Sequence, residues 1–272
     1  MGGLDVRALC RCQVNGMTTL HGVFWDVDGT LADTEMDGHR PAFNLAFSDL
    51  KLPFHWDRDL YSRLLAIPGG LRRVAVHAED CGVILRADQL EKLRERKSHH
   101  YLERIRQGHV SWRPGVLRLI TELHQAGLQQ WIVTSSGHAS VIALIDQKGS
   151  DSAKFDGLAM FDGLVTADDV SRGKPDPEGY QLALQRSGLE ASAVIAIEDS
   201  AAGQAAAVAA GLRCLLTPSS WDRALRAAHQ PSSAVLNHLG DPGCPLNHLQ
   251  GPPCPDGQVT LKYLKSLPLQ RL

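Results

Sequence analysis

Nothing in this 272-residue chain approaches the roughly 18 consecutive apolar residues of a membrane-spanning helix. The opening stretch MGGLDVRALCRCQVNG holds no apolar core of signal-peptide type. Charge of either sign is not in excess: 28 Lys and Arg against 30 Asp and Glu leave a formal net charge of -2. No global field therefore draws the chain to nucleic acid or to an acidic membrane. Its six cysteines (Cys10, Cys12, Cys81, Cys214, Cys244, Cys254) form no C-x-x-C pair and have no histidines at zinc-finger spacing. That argues against a disulfide scaffold or structural zinc and leaves reduced thiols, as expected of a cytoplasmic protein. Internal repeats are absent as well. What remains is ordinary soluble composition, 43% hydrophobic and 21% charged, enough for one large domain or one domain with a smaller insertion.

Within it, short apolar runs alternate with helical patterns. HGVFWDV (21–27), LQQWIVTSS (128–136), AVIAIED (193–199) and RCLLT (213–217) read as buried strands. PGVLRLITELHQAG, PEGYQLALQRSG and SAAGQAAAVAAG read as helices, the first with Pro114 near its start and Gly127 just past its end. Such alternation predicts an α/β fold: a Rossmann-like parallel sheet with helices on both faces. Residues 36–110 break the rhythm with at least two amphipathic helical patterns and no β-rich run, so they are expected to form an inserted α-helical cap. The expected division is a disordered leader over 1–19, a catalytic core over 20–35 and 111–272, and the cap over 36–110. Past about residue 230, LGDPGCPLNHLQGPPCPDGQ is rich in Pro and Gly and predicts an irregular extended tail.

Four constellations fall at the C-terminal ends of the predicted strands or in the loops after them, the edge at which open parallel sheets bind ligands. They are Asp26-x-Asp28-Gly29-Thr30, Thr134-Ser135, Lys174 in GKPDPEGY, and Glu198-Asp199-Ser200. Asp26, Asp28, Glu198 and Asp199 on one edge would repel each other unless a cation sat among them. Mg²⁺ suits such a set, because it takes one or two carboxylates together with waters and phosphate oxygens. A metal there would keep Asp26 ionised, leaving one oxygen free to attack phosphorus and form an aspartyl phosphate. Lys174 and the Thr134 hydroxyl could then hold the charge on the phosphoryl oxygens. Taken singly, each piece has a plainer explanation: an acidic turn, a strand-end hydroxyl, a solvated lysine, acids at a helix N-terminus. Their order along one sheet edge is what favours chemistry.

DVDGTLADTE, VTSS, GKPDPEGY and IEDSAAGQAA resemble, in order, the four motifs of the haloacid dehalogenase superfamily. The resemblance implies Asp26 as nucleophile and Asp28 as general acid/base. It implies Thr134 and Lys174 as phosphoryl ligands, and Mg²⁺ held by Asp26, the main-chain carbonyl of Asp28, Asp199 and, assisting, Glu198. FWDVDGTLADTEMDGHRPAFNLAF, PGGLRR and GDPGCPLNHLQGPP further resemble the CbbY-like subfamily of sugar-bisphosphate phosphatases, associated with the Calvin cycle. That implies hydrolysis of xylulose 1,5-bisphosphate to xylulose 5-phosphate. Leu71 and Arg72 depart from the acidic-polar pair expected there, while Arg73 stands in the place of the substrate-binding arginine.

A bisphosphate needs a second cationic site, for which Arg72, Arg73 and Lys97 are candidates, arginine being able to grip phosphate bidentately. Residues 86–106 carry seven Lys and Arg against four Asp and Glu, most of which fit a solvated helix face. By the same resemblance Glu35 and His39 face sugar hydroxyls, and Ser135 is a further substrate-binding candidate. Gly69 and Gly70 read as a turn that lets the cap backbone approach substrate, with a plain turn as the alternative. The expected partner is a small phosphorylated sugar, with no nucleic acid and no membrane, and the expected state is a monomer. Two alternatives stay open on spacing alone: a phosphomutase of the beta-phosphoglucomutase type, in which a sugar hydroxyl replaces water, and a phosphosugar-binding regulatory protein without chemistry.

Overall fold

A computed structural model describes residues 19–67, 69–147, 157–219, 225 and 232–268. The predicted leader, apart from Thr19, lies outside the described residues, as do Cys10 and Cys12. Seven strands form one sheet in the order β3-β2-β1-β4-β5-β6-β7. The strands are β1 (Gly22–Trp25), β2 (Gln129–Val133), β3 (Gly163–Val165), β4 (Val194–Glu198), β5 (Arg213–Leu216), β6 (Ala234–Leu236) and β7 (His248–Gln250). All pairings are parallel except that of β6 with β7. The central strand β1 is buried along its length, which is why it reads as an unbroken apolar run rather than an alternating one. Trp25 at its end pairs with Ile132 on one side and Ile197 on the other, so three strands finish at the same edge.

Between β1 and β2 the chain leaves the sheet through a π-helical turn, Thr34–His39, into helices α1 (Arg40–Asp49), α2 (Arg58–Leu64), α3 (Gly70–Asp80) and α4 (Ala87–Arg106). These close on an apolar cluster of their own that includes Met36, Phe43, Phe47, Trp56, Tyr61 and Leu93. The chain then returns beside its point of exit: Ala32 bridges Trp112, and the Asp33 N–H donates to Ser111 O at 3.1 Å. Further helices among the described residues include α5 (Val116–Gln125), α6 (His138–Ile145), α7 (Glu178–Ser187), α8 (Ala201–Ala209) and α9 (Leu261–Ser266). In α5, Val116, Leu119, Ile120 and Leu123 are buried at the spacing of one helical face. Two separate apolar clusters share the strand residues between them, one holding Val23 and Trp25 and the other Phe24, as expected for a sheet covered on both faces.

The tail departs from expectation. It supplies β6, β7 and α9 rather than an irregular extension. Its Pro and Gly residues mark the turns, while AVL is too short a run to stand out until β5 offers a strand to pair with. The tail is also tied down: the Arg118 guanidinium donates to Leu239 O (3.3 Å), Gly240 O (3.0 Å) and Val259 O (2.8 Å). No helix among the described residues is long and apolar enough to cross a membrane.

Candidate active site

The pairing of the sheet decides where the acids emerge. Asp26 follows β1 directly, and its main-chain N–H donates to Ile197 O of β4 at 3.0 Å, so its carboxylate leaves the sheet beside that of Glu198. Thr134 follows β2, its N–H bonded to Val165 O of β3 at 3.0 Å. Lys174 arrives from the loop before α7. Its ammonium donates to Asp26 Oδ1 (2.7 Å), Glu198 Oε1 (2.6 Å) and Val133 O (2.8 Å). The Tyr180 hydroxyl donates to the same Glu198 Oε1 from beneath. Four of the expected residues, Asp26, Lys174, Glu198 and Asp199, therefore converge, with Thr134 at their margin.

Two glycines make the approach possible. Gly29 sits at φ +83°, where a Cβ would lie 2.0 Å from Asp199 Oδ2. A Cβ on Gly203, in the first turn of α8, would lie 1.9 Å from Glu198 Oε2. Asp26, Glu198 and Asp199 each present a carboxylate oxygen within 4.8 Å of the others. Burial raises Asp26 above its ordinary value despite Lys174, pushes Glu198 up to about 7, and, with the charge of Asp26 behind it, lifts Asp199 well above its ordinary value. Burial alone would depress Lys174, but the charges of Asp26 and Glu198 hold it above its ordinary value.

Three carboxylates gather around one hydrogen-bonded ammonium, with Arg113 the further positive charge that acts on Asp199, so negative charge is in excess here. A divalent cation offsets that excess. Glu198 Oε2 is buried with no hydrogen-bond partner among the described residues, and every available donor is a hard oxygen, the chemistry of Mg²⁺ rather than of zinc. The residues present fit such an ion.

Asp28 is differently placed, since its carboxylate turns away from this cluster and toward the helical segment. It accepts from Ser136 Oγ and, at 3.4 Å, from the Tyr101 hydroxyl of α4, and it lies 3.5 Å from His39 Nε2. Lys97 Nζ is 3.0 Å from His39 Nδ1. An ammonium can only donate, so Nδ1 accepts and the ring proton sits on Nε2, facing Asp28. Burial disfavours the Asp28 carboxylate, but the hydrogen bonds from His39 and Ser136 outweigh it and hold the group well below its ordinary value.

Beside this pair Glu35 Oε2 accepts from the Tyr61 hydroxyl at 2.6 Å. Arg73, only 7% exposed, donates to Tyr61 Oη (3.1 Å) and to Leu64 O (2.9 Å). Arg72 is exposed on the surface of α3. Gly69 precedes α3 at φ +84°, a left-handed conformation that favours glycine, and a Cβ on Gly70 would meet Phe43 Cζ of α1 at 2.9 Å. Ser135 is exposed, and the neighbouring Ser136 is the one that reaches Asp28. Sequence reasoning missed Ser136, Tyr61, Tyr101 and Tyr180. The doubled serine in VTSS gave no means of choosing, and the tyrosines lie on apolar helix faces where packing alone accounts for them.

Residues 20–211 match the model of the haloacid dehalogenase-like hydrolases. The chain belongs to that family. It is accordingly an enzyme, a hydrolase of the phosphatase type. Among members of this family it is 37% identical over 233 residues to protein CbbY of Cupriavidus necator, covering 84% of this chain and 89% of the relative. It is 40% identical over 204 residues to protein CbbY of Rhodobacter capsulatus, covering 75% and 88%. The crystal structure of CbbY from Rhodobacter sphaeroides in complex with phosphate superposes with a TM-score of 0.70 at 31% identity, over 81% of this chain and 95% of that one. A mutant of that protein in complex with xylulose 1,5-bisphosphate gives a TM-score of 0.70 at 30% identity, with the same coverage. A haloacid dehalogenase-like sheet with its helical insertion thus carries a buried acid cluster on one side of Asp28 and a mixed-charge pocket wall on the other.

Proposed function

We propose that this hydrolase is a Mg²⁺-dependent sugar phosphatase working through an aspartyl phosphate on Asp26, with xylulose 1,5-bisphosphate as its substrate. The observation that carries the reading is the excess of negative charge where Asp26, Glu198 and Asp199 converge beside one buried lysine. Bound there by Asp26, Asp199, Glu198 and the main-chain carbonyl of Asp28, Mg²⁺ supplies positive charge against which an ionised Asp26 and a phosphate dianion can meet.

The residues then divide the work. A carboxylate oxygen of Asp26 forms a bond to phosphorus as the bond to the sugar oxygen breaks, and the leaving oxygen takes a proton from Asp28. Lys174 and the Thr134 hydroxyl hold the transferring oxygens, where negative charge is greatest. Water then attacks phosphorus, giving its proton to Asp28. The bond between phosphorus and the Asp26 oxygen breaks, and inorganic phosphate leaves. Its hydrogen bonds favour the carboxylate form of Asp28, so the acid form used in the first half takes its proton from solvent. The His39 Nε2–H, 3.5 Å away, orients that carboxylate. Lys97 fixes that tautomer.

Glu35, Tyr61 and Arg73 complete the helical wall. Carboxylate and hydroxyl suit sugar hydroxyls, and Arg73 with Lys97 suits a second phosphate. The mixture supports a phosphorylated polyol over a bare phosphate ester, and the CbbY relatives supply the bisphosphate. Rates with Mg²⁺ over a panel of pentose and hexose mono- and bisphosphates test this. One inorganic phosphate per xylulose 1,5-bisphosphate, with xylulose 5-phosphate as product, is the expected result. An isomerised sugar phosphate without free phosphate would make the enzyme a mutase instead.

A further inference from the structure

Arg113 stands where the chain re-enters the core after α4, its N–H bonded to Leu31 O at 2.9 Å. Its guanidinium gathers carbonyls from three separate segments. It donates to Gly29 O in the turn after β1, to Thr217 O (2.6 Å) and Pro218 O (3.5 Å) after β5, and to Asn237 O (2.7 Å) after β6. It also reaches Thr217 Oγ1 at 3.1 Å. Two of these three segments touch the acid cluster. Gly29 is the residue whose missing Cβ leaves room for Asp199. The Thr217 N–H and hydroxyl both donate to Glu198 O, at 2.6 and 3.3 Å. Two residues on, Ser219 Oγ donates to Asp199 Oδ2 at 3.3 Å. The planar fork of arginine can hold several acceptors at fixed separation, which a lysine cannot.

We propose that Arg113 is a positioning residue for the acid cluster, holding the Gly29 turn and the 217–219 loop at the separation that lets Asp26, Glu198 and Asp199 converge on one divalent cation. This deepens the reading of that cluster as a Mg²⁺ site and rests on it. Geometry and charge make opposite predictions here. Removing a positive charge near a cation site tightens cation binding by electrostatics alone, whereas releasing the two walls weakens it.

Titration calorimetry of Mg²⁺ into the full-length, metal-stripped chain separates the cases. Arg113→Met is expected to raise the Mg²⁺ Kd about tenfold, the usual scale for losing a partner that orients metal ligands. Arg113→Lys, which keeps the charge and loses the fork, is expected to weaken binding by a smaller factor in the same direction. Arg118→Met is the control, because Arg118 also gathers several carbonyls but on the tail, away from the acids. It should lower Tm and leave the Kd unchanged. Should Arg113→Met fail to fold, Thr217→Val, which removes the Oγ1 contact, and Arg113→Lys carry the test, both with a raised Kd. Unchanged or tighter Mg²⁺ binding in folded Arg113 variants overturns the proposal. Asp199→Asn keeps that failure distinct: if it binds Mg²⁺ as well as the parent chain, the reading of the cluster as the metal site fails first.

Discussion

The two sides of Asp28 solve opposite electrostatic problems. On the sheet side, Asp26, Glu198 and Asp199 crowd like charges around a single hydrogen-bonded lysine and are left with negative charge in excess. On the helical side, Glu35, Tyr61, Arg73, His39 and Lys97 are of mixed sign and satisfy one another through hydrogen bonds of 2.6 to 3.1 Å. The first arrangement crowds like charges and fits a compact cation. The second is stable by itself and offers donors and acceptors to exchange with a polar ligand. The contrast teaches how one site can fix its chemistry in the sheet and vary its substrate in the insertion, since a change on the helical side leaves the acid cluster untouched.

The sharpest way to break the comparison is at Asp26. Asp26→Asn removes the nucleophile and one of the three clustered carboxylates together, so turnover should fall by about 10³-fold or more, on the scale of losing a covalent nucleophile. Steady-state rates on any accepted substrate check this, and near-normal activity would sink the mechanism. Metal removal comes next. A carboxyl raised in the folded state favours the protonated folded form, so stability is full below its ordinary value and is lost as pH rises through the raised one. For Glu198 that window runs from 4.5 to about 7. In chelator, Tm should therefore fall across this range, and saturating Mg²⁺ should flatten the fall. A Tm equally pH-dependent with and without Mg²⁺ would show that no cation balances these acids.

On the helical side, Arg73→Ala should cost a bisphosphate substrate tens-fold in kcat/KM and a small phosphate ester much less, one charge-assisted contact being worth roughly 1.5–3 kcal/mol. The ratio is the useful quantity. Arg73 also braces Tyr61 and Leu64, and any general loosening lowers both rates alike. Equal loss on the two substrates takes Arg73 out of recognition.

What was legible in the sequence follows the same divide. Strands β1, β2, β4 and β5 and the acids at their ends were readable, because a buried parallel strand is a continuous apolar run and its C-terminal edge is a defined place. Strand β3 was not, since GLV is three residues long and takes its identity from pairing with β2. The tail strands hid for the same reason behind turn residues. In the site, Lys174 was expected to meet phosphate and does stand on Asp26, but its bond to Glu198 and the hydroxyl of Tyr180 beneath it depend on three segments meeting. Nothing local to GKPDPEGY records that. The helical wall was the least legible. Which serine of VTSS reaches Asp28, and that Tyr101 stacks on His39 with ring centroids 4.1 Å apart, are products of how the insertion lies on the sheet. Gly38 is part of that fit, for a Cβ there would lie 2.8 Å from the Tyr101 ring.

The smallest expected effect lies at the seam between the two regions. Asp33 is the last residue before the π-helical turn, and its Oδ1 is buried with no hydrogen-bond partner among the described residues. Burial, with the charge of Asp37 behind it, pushes its carboxyl up to about 6. Stability is therefore lost as pH rises from the ordinary value of 3.8 through about 6. Asp33→Asn keeps the shape and removes the charge. It should stabilise the chain by about 1 kcal/mol at pH 8, discounted for the side chain's partial exposure, and by almost nothing at pH 4. Denaturant unfolding at the two pH values measures the difference, and equal effects at both would rule out charge as the cause. The same experiment with Mg²⁺ sharpens the contrast between regions. The gain at Asp33 should survive saturating Mg²⁺ unchanged, because the cluster of Asp26, Glu198 and Asp199 does not include this acid, whereas the pH dependence set by Glu198 should not.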